Sequence, residues 1–276
     1  MIRFTKGHGT ENDFLIVADP DGTFRPDPAW IAAVCDRRAG VGADGFLRVL
    51  RTANAEGYEN QAAAAEWFMD YRNGDGSVAE MCGNGVRVFA RYLVAEGLMP
   101  AGDFAVGTRG GVKQVTVPPH GGDITVAMGV PRLVGERAHV LVGEEWQQGV
   151  NVDMGNPHAV VFVGDVAEAG PLFEMPEFKP VEVYPNGVNI EFVARVAEHH
   201  IRMRVFERGV GETRSCGTGA CAAMIATAQR DGAPPDTPYF VDVPGGRLVI
   251  VERSDGQLEM TGPAVLVAHG ELNYQD

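Results

Sequence analysis

The feature that most constrains this chain is a repeated signature, a cysteine followed by Gly-x-Gly and a helix-like run. It occurs as Cys82-Gly-Asn-Gly85 and again as Cys216-Gly-Thr-Gly219, separated by 216 − 82 = 134 positions. Two further features recur in the same order at nearly the same offset. Gly110-Gly111 before an apolar strand pattern matches Gly245-Gly246, and the run starting at Gly122 matches the run starting at Gly256. Upstream of the cysteines the offset lengthens: Asn12 and Gly45 match Asn156 and Asn189, each 144 positions on (156 − 12; 189 − 45). The extra length falls in residues 52–66, an Ala-rich stretch read as a surface loop or hairpin insertion. A chain with this pattern folds as two similar halves. We expect an α/β fold with α+β mixed sheets, in two pseudo-symmetric domains from an internal duplication. The first half covers residues 1–127, with 263–276 returning to it as a C-terminal strand, and the second covers 128–262.

After Cys82 the residues Val86, Phe89, Ala90, Leu93 and Val94 keep the spacing of an apolar helix face, and Gly97 is a suitable stop. After Cys216 the run from Ala220 to Ala228 is apolar nearly all round, the mark of a helix buried on every side. Each cysteine therefore sits just ahead of a helix N-terminus, where unpaired N–H groups and the helix dipole favour an anion. A thiol placed there is expected to have a lowered pKa and to serve as a base or nucleophile. The other elements follow ordinary signals. Asp27 and Pro28 open a helix toward Cys35, a small core residue. Residues 4–17 read as strand, turn and strand, with Asn12 and Asp13 at the turn. The strand Met203–Phe206 ends at Glu207-Arg208.

The 276 residues carry a formal net charge of −14. This argues against nucleic acid or an anionic membrane as a partner, since both need clustered Lys and Arg. The N-terminus has no charged-then-apolar leader pattern, so a cytoplasmic protein is expected. Four cysteines with no CxxC pair point to reduced thiols rather than a disulfide framework.

Three chemistries fit the cysteine pair. One thiolate can remove a proton from carbon while the other thiol supplies one from the opposite face, which inverts a stereocentre. A redox pair is a second reading, though it leaves the duplicated Gly-x-Gly unexplained. A metal site is a third, weakened by histidines without metal-ligand spacing. In the first reading, helix N-termini aimed at a substrate carboxylate stabilise its enolate character without a cofactor. Equivalent sites of a duplicated chain are expected to face one ligand across the interface of the halves. Asn73 and Glu207 each lie nine positions before their cysteine (82 − 73; 216 − 207), which raises both as site candidates.

The chain resembles the diaminopimelate epimerase family almost end to end. The resemblance is carried by His8-Gly-Thr-Glu-Asn12-Asp13-Phe14, Asn73-Gly-Asp-Gly-Ser77, Cys82-Gly-Asn-Gly85, Met154-Gly-Asn-Pro-His158, Asn189, Glu207-Arg208-Gly-Val-Gly-Glu-Thr213 and Cys216-Gly-Thr-Gly-Ala-Cys221. It implies a cofactor-independent isomerase, with no metal, that interconverts L,L- and meso-diaminopimelate on the route to lysine and peptidoglycan. It implies Cys82 and Cys216 as base and acid. Gly83, Asn84, Gly217 and Thr218 would surround the reacting centre, and Asn12, Asn73, Asn156, Asn189, Glu207 and Arg208 would hold the substrate. His158 and Glu207 would tune the thiols, and a homodimer is expected. Many members carry Gln where this chain has Gly45, so Gly45 stays outside the expected site. Proline and hydroxyproline racemases resemble the chain less, since Asn84 stands where their first motif has His. A two-lobed amino-acid-binding protein would also fit the architecture, but it would not need two thiols.

Overall fold

The computed structural model describes residues 1–135 and 137–273; the last three positions of the expected C-terminal strand, 274–276, lie outside the described residues. The chain divides into two compact units, residues 1–126 with 262–276, and residues 127–261.

In the first unit the strands Ile2–Gly9 and Asn12–Ala18 form an antiparallel hairpin, closed by Gly9 opposite Asn12. The turn itself is Thr10–Glu11, both at positive φ (50° and 60°), so Asn12 and Asp13 open the second strand rather than making the turn. Asn12–Ala18 runs parallel to Gly45–Arg51, which pairs antiparallel with Trp67–Asn73. That strand runs parallel to Gly102–Gly107, which continues antiparallel into Lys113–Val117. Val265–Leu272 closes the other side, antiparallel to Ile2–Gly9. Helix α1 spans Pro28–Cys35, with the Asp27 side chain accepting from the Ala29 N–H as the N-cap signal requires. It covers one sheet face, burying Ile31 and Cys35 against Leu15, Val17 and Phe46. Burial pushes the Cys35 thiol up to about 12, which leaves it an inert core side chain at neutral pH.

Helix α2 spans Gly83–Ala95 and touches six strands of the first unit. Its residues from Gly83 to Ala90 are all buried, including the polar Asn84 and the whole of Arg87. Between the strands Gly45–Arg51 and Trp67–Asn73, residues 52–66 form two short 3₁₀ turns, Thr52–Asn54 and Glu59–Ala63, rather than a hairpin.

The second unit repeats this order. A hairpin of Val150–Asp153 and Pro157–Phe162 runs parallel to Asn189–Ala197, which pairs antiparallel with His200–Glu207. His200–Glu207 is parallel to Pro238–Val243, followed antiparallel by Gly246–Glu252 and Leu258–Gly262. Helix α3, Gly217–Asp231, occupies the place of α2, and its small side chains from Ala220 to Ala228 are buried on every side. Close packing needs those small residues, because strands approach the helix all round. A small sheet of His139–Val142, Glu145–Gln148 and Phe178–Lys179 supplies the other core layer, where Val140 and Tyr184 pack on Val161 and Phe192. The mixed α+β class expected from the sequence is the class observed. Among the described residues no helix is long and apolar enough to cross a membrane.

Candidate active site

In the first unit Cys82 is the N-cap of α2, its Sγ accepting from the Gly85 N–H at 3.4 Å. Its thiol donates toward Asn12 Oδ1 at 3.5 Å. That oxygen also accepts from Asn84 Nδ2 at 3.2 Å. The buried Arg87 fixes which way Asn84 faces, since its Nη2 donates to Asn84 Oδ1 at 2.8 Å. Asp44 fixes Asn12 in the same manner by accepting from Asn12 Nδ2 at 2.9 Å. The thiol therefore faces an amide oxygen whose orientation is set from both ends of a chain running Arg87, Asn84, Asn12, Asp44. The positive-φ turn contributes Thr10, whose hydroxyl donates to Asn84 Oδ1 at 3.4 Å; backbone strain of this kind persists where its surroundings enforce it.

Beyond Asp44 lies a salt-bridge cluster. Arg37 holds Asp13 at 2.6 Å and Asp44 at 2.7 Å, and Lys6 holds Asp13 at 2.9 Å. Burial alone would raise the Asp13 carboxyl, but hydrogen bonds from Arg37 and Lys6 outweigh it and hold it at about 2 against an ordinary 3.8. With the folded value below the unfolded one, this stabilisation is complete above 3.8 and is lost as pH falls toward about 2. Asp13→Asn should remove that part of the acid sensitivity. Urea unfolding at about pH 5 and about pH 2.5 checks this, and an equal loss of stability in variant and parent would refute it.

Asn73 stands apart from this network. Its Oδ1 accepts from Tyr71 OH at 2.9 Å and its Nδ2 donates to Ser77 Oγ at 3.0 Å, so it organises the turn that leads toward Cys82. Gly45 lies opposite Asn73 in the register. A Cβ there would stand 2.7 Å from Tyr71 Cε2 and 2.8 Å from the Arg72 carbonyl oxygen, so a Gln side chain has no room on this backbone. Gly45→Gln should cost about 1–3 kcal/mol of stability. A variant as stable as the parent in urea would show that the strand yields instead.

In the second unit Cys216 is the N-cap of α3, its Sγ accepting from the Gly219 N–H at 3.4 Å. Thr218 Oγ1 lies 3.5 Å from that sulfur and accepts from Asn156 Nδ2 at 3.5 Å. Asn156 Oδ1 is 3.0 Å from His158 Nε2, and His158 Nδ1 is 2.6 Å from Glu191 Oε1. Glu207 accepts from the Thr213 hydroxyl, and its carboxyl acts electrostatically on the Cys216 thiol. The site candidates Cys216, Thr218, Asn156, His158 and Glu207 thus form one connected group, with Gly217 at the first turn of α3. Asn189 and Arg208 form a neighbouring pair. Asn189 Nδ2 donates to the Pro157 carbonyl at 3.1 Å, its Oδ1 accepts from the Arg208 N–H at 2.9 Å, and Arg208 Nη1 donates to the Asn186 carbonyl at 3.2 Å.

The electrostatics of Cys216 run against the simple helix-terminus expectation. Burial pushes its thiol well above the ordinary value, and the carboxyls of Glu207 and Glu191 push it further. Thr218 and the Gly219 N–H favour the thiolate but do not offset this. Burial also raises Glu207 and Glu191, so the pocket behind the thiol tends to keep its protons.

Two buried side chains of these networks carry no clear mark in the sequence. Arg87 sits between Val86 and Val88 with nothing in the helical pattern to mark it as buried. Glu191 left a clue, an acid inside the apolar strand run Asn189-Ile-Glu-Phe-Val193, and it is fully buried.

The family pattern for diaminopimelate epimerase matches residues 4–134 and 150–267. The chain belongs to the diaminopimelate epimerase family. It is 59% identical to the diaminopimelate epimerase of Streptomyces coelicolor, over 99% of this chain and 96% of that one. It is 50% identical to the diaminopimelate epimerase of Thermobifida fusca, over 98% of each. Among solved structures, a Bacillus anthracis phenazine biosynthesis protein of the PhzF family superposes with a TM-score of 0.71 at 19% identity, over 99% of both chains, which establishes a shared fold. Its family makes the chain an isomerase of the epimerase type.

Proposed function

We propose that this chain interconverts L,L- and meso-diaminopimelate by two-base proton transfer at one α-carbon, without a bound cofactor, in the supply of lysine and peptidoglycan precursor. The observation that carries the reading is that each unit presents a cysteine as the side-chain N-cap of its central helix. One thiolate removes the α-proton and the other thiol returns one, and the roles exchange with direction. The N–H groups of Gly83, Asn84, Gly217 and Thr218 at the two helix starts take the α-carboxylate as it gains enolate character. Asn12, Asn73, Asn156, Asn189, Glu207 and Arg208 hold the amino-acid ends, while His158 and Glu207 set the proton affinity of Cys216. Because its surroundings keep Cys216 protonated, it enters as the acid in the direction where Cys82 is the base. We extend the proposal to a homodimer working in the cytoplasm, as the family resemblance implies.

Reduced protein incubated in D₂O with L,L-diaminopimelate, and separately with L-proline, tests the reading by NMR. The expected result is loss of the diaminopimelate α-signal with appearance of the meso isomer. Exchange of proline alone would move the chain to racemase chemistry, and silence in both tubes would overturn the proposal.

A further inference from the structure

The segment 52–66, which has no part in the proposed chemistry, roofs a cavity of about 370 Å³ in the first unit. Its floor is the outer face of the strands Gly45–Arg51 and Trp67–Asn73. At one end Leu50, Phe68 and Tyr58 make an apolar wall, with the two rings 5.2 Å apart. At the other end Arg48, Arg72 and Arg109 converge on Asp70. Arg48 Nε reaches it at 2.9 Å and Arg72 Nε at 3.5 Å, and Arg109 donates to the same carboxylate through Nη2. Arg48 also meets Asp19 at 3.5 Å. Arg25 stands at the mouth, 3.7 Å from an exposed Glu56.

The charges at the inner end do not balance. Three guanidiniums face two carboxylates, in a place where Asp70 and Asp19 are buried and Arg48 and Arg109 are only 14% exposed. A surplus positive charge removed from water is costly unless a counter-charge joins it. Asp70 is already shared by three arginines and offers little more. A guanidinium fork matches a carboxylate or phosphate through parallel hydrogen bonds, and Arg72 is a quarter exposed toward the cavity. The volume suits a small ligand.

We infer that this cavity is a second binding site, for a small organic anion. Its oxyanion, a carboxylate or a phosphate monoester, sits among Arg72, Arg48 and Arg25, and its apolar body lies against Tyr58 and Phe68. The insertion between the strands supplies Tyr58 to that wall, while Leu50 and Phe68 come from the strands themselves. Arg109 is unsuited to a test because it also holds the carbonyls of Tyr71 and Ala79. Arg72→Ala and the mouth variant Arg25→Ala leave those bonds in place.

Calorimetric titration of the full chain at fixed ionic strength, with benzoate, phenyl phosphate and inorganic phosphate, tests the inference. The expected result is binding of benzoate, phenyl phosphate or both, weakened about tenfold or more by Arg72→Ala. Which of the two binds tells a carboxylate site from a phosphate site. Tyr58→Ala should weaken the aromatic ligands and leave inorganic phosphate unchanged. No binding of any probe up to about 10 mM overturns the inference. So does binding that both Arg72→Ala and Arg25→Ala leave intact, since it would then lie elsewhere.

Discussion

Cys82→Ala and Cys216→Ala should each abolish inversion while leaving a trace of one-sided chemistry. A positioned acid or base contributes about a hundred- to ten-thousandfold in rate, so turnover between the isomers should fall by at least that much in either variant. The surviving thiol is still in place. It can take the α-proton of the isomer that presents its hydrogen to that side, exchange with D₂O, and return deuterium to the same face. Each variant should therefore deuterate one isomer with retention and leave the other untouched, with the two variants choosing opposite isomers. NMR of the α-signal together with chiral separation reads both quantities. The fold should survive, because the side-chain contacts each sulfur makes, to a first-turn N–H at 3.4 Å and to Asn12 or Thr218 at 3.5 Å, are long and weak, and the helix behind it is packed by other residues. Near-normal inversion in either variant would end the two-base account. Exchange of both isomers by a single-cysteine variant would show that a group other than the missing thiol moves the proton.

Much of this arrangement was legible before any coordinates, because it rests on local signals. Both central helices could be placed from glycine spacing and apolar periodicity, and the repeat announced that what holds for one half holds for the other. The strand after Pro263 was legible for the same reason, as an apolar run that could return to the first half. What stayed hidden depends on long-range burial. Nothing near Arg87 in the sequence says that it will be fully buried, nor that it will orient Asn84 and, through it, Asn12. The helix-terminus rule gave the wrong sign for Cys216, because a local dipole is visible in sequence while the desolvation that outweighs it is not. The position of Asn12 one step past the turn was also missed, since Thr10–Glu11 is an unusual pair for two positive φ values.

Glu191 should prove to govern the ionisation of Cys216. His158 has an oxygen at each ring nitrogen, Glu191 Oε1 at 2.6 Å and Asn156 Oδ1 at 3.0 Å. With Asn156 accepting, Nε2 carries a hydrogen, and one further proton lies between Nδ1 and the carboxyl. Whichever atom holds it, the pair is neutral, as a site with both side chains fully buried demands. Losing that proton would leave a bare negative charge close to the thiol. A Cβ built on Gly219 would stand 2.7 Å from Glu191 Oε1 and 3.3 Å from Cys216 Sγ, which shows how near the two groups lie. Glu191→Gln keeps the shape, and its amide can donate to Nδ1, but it has no proton to lose. Burial dominates the raised value of Cys216 and will persist, while the part owed to Glu191 will vanish, so the thiol should ionise at lower pH. Thiolate absorbance followed against pH, with Cys216→Ala as the blank, measures the shift, and a superimposable curve would remove Glu191 from the argument. Glu191→Ala is the harsher change. It strands His158 Nδ1 in a dry site and should cost about 3 kcal/mol of stability in urea unfolding, where Gln costs little. If Gln proved as damaging as Ala, the proton rather than the hydrogen-bonded shape would be what the fold requires.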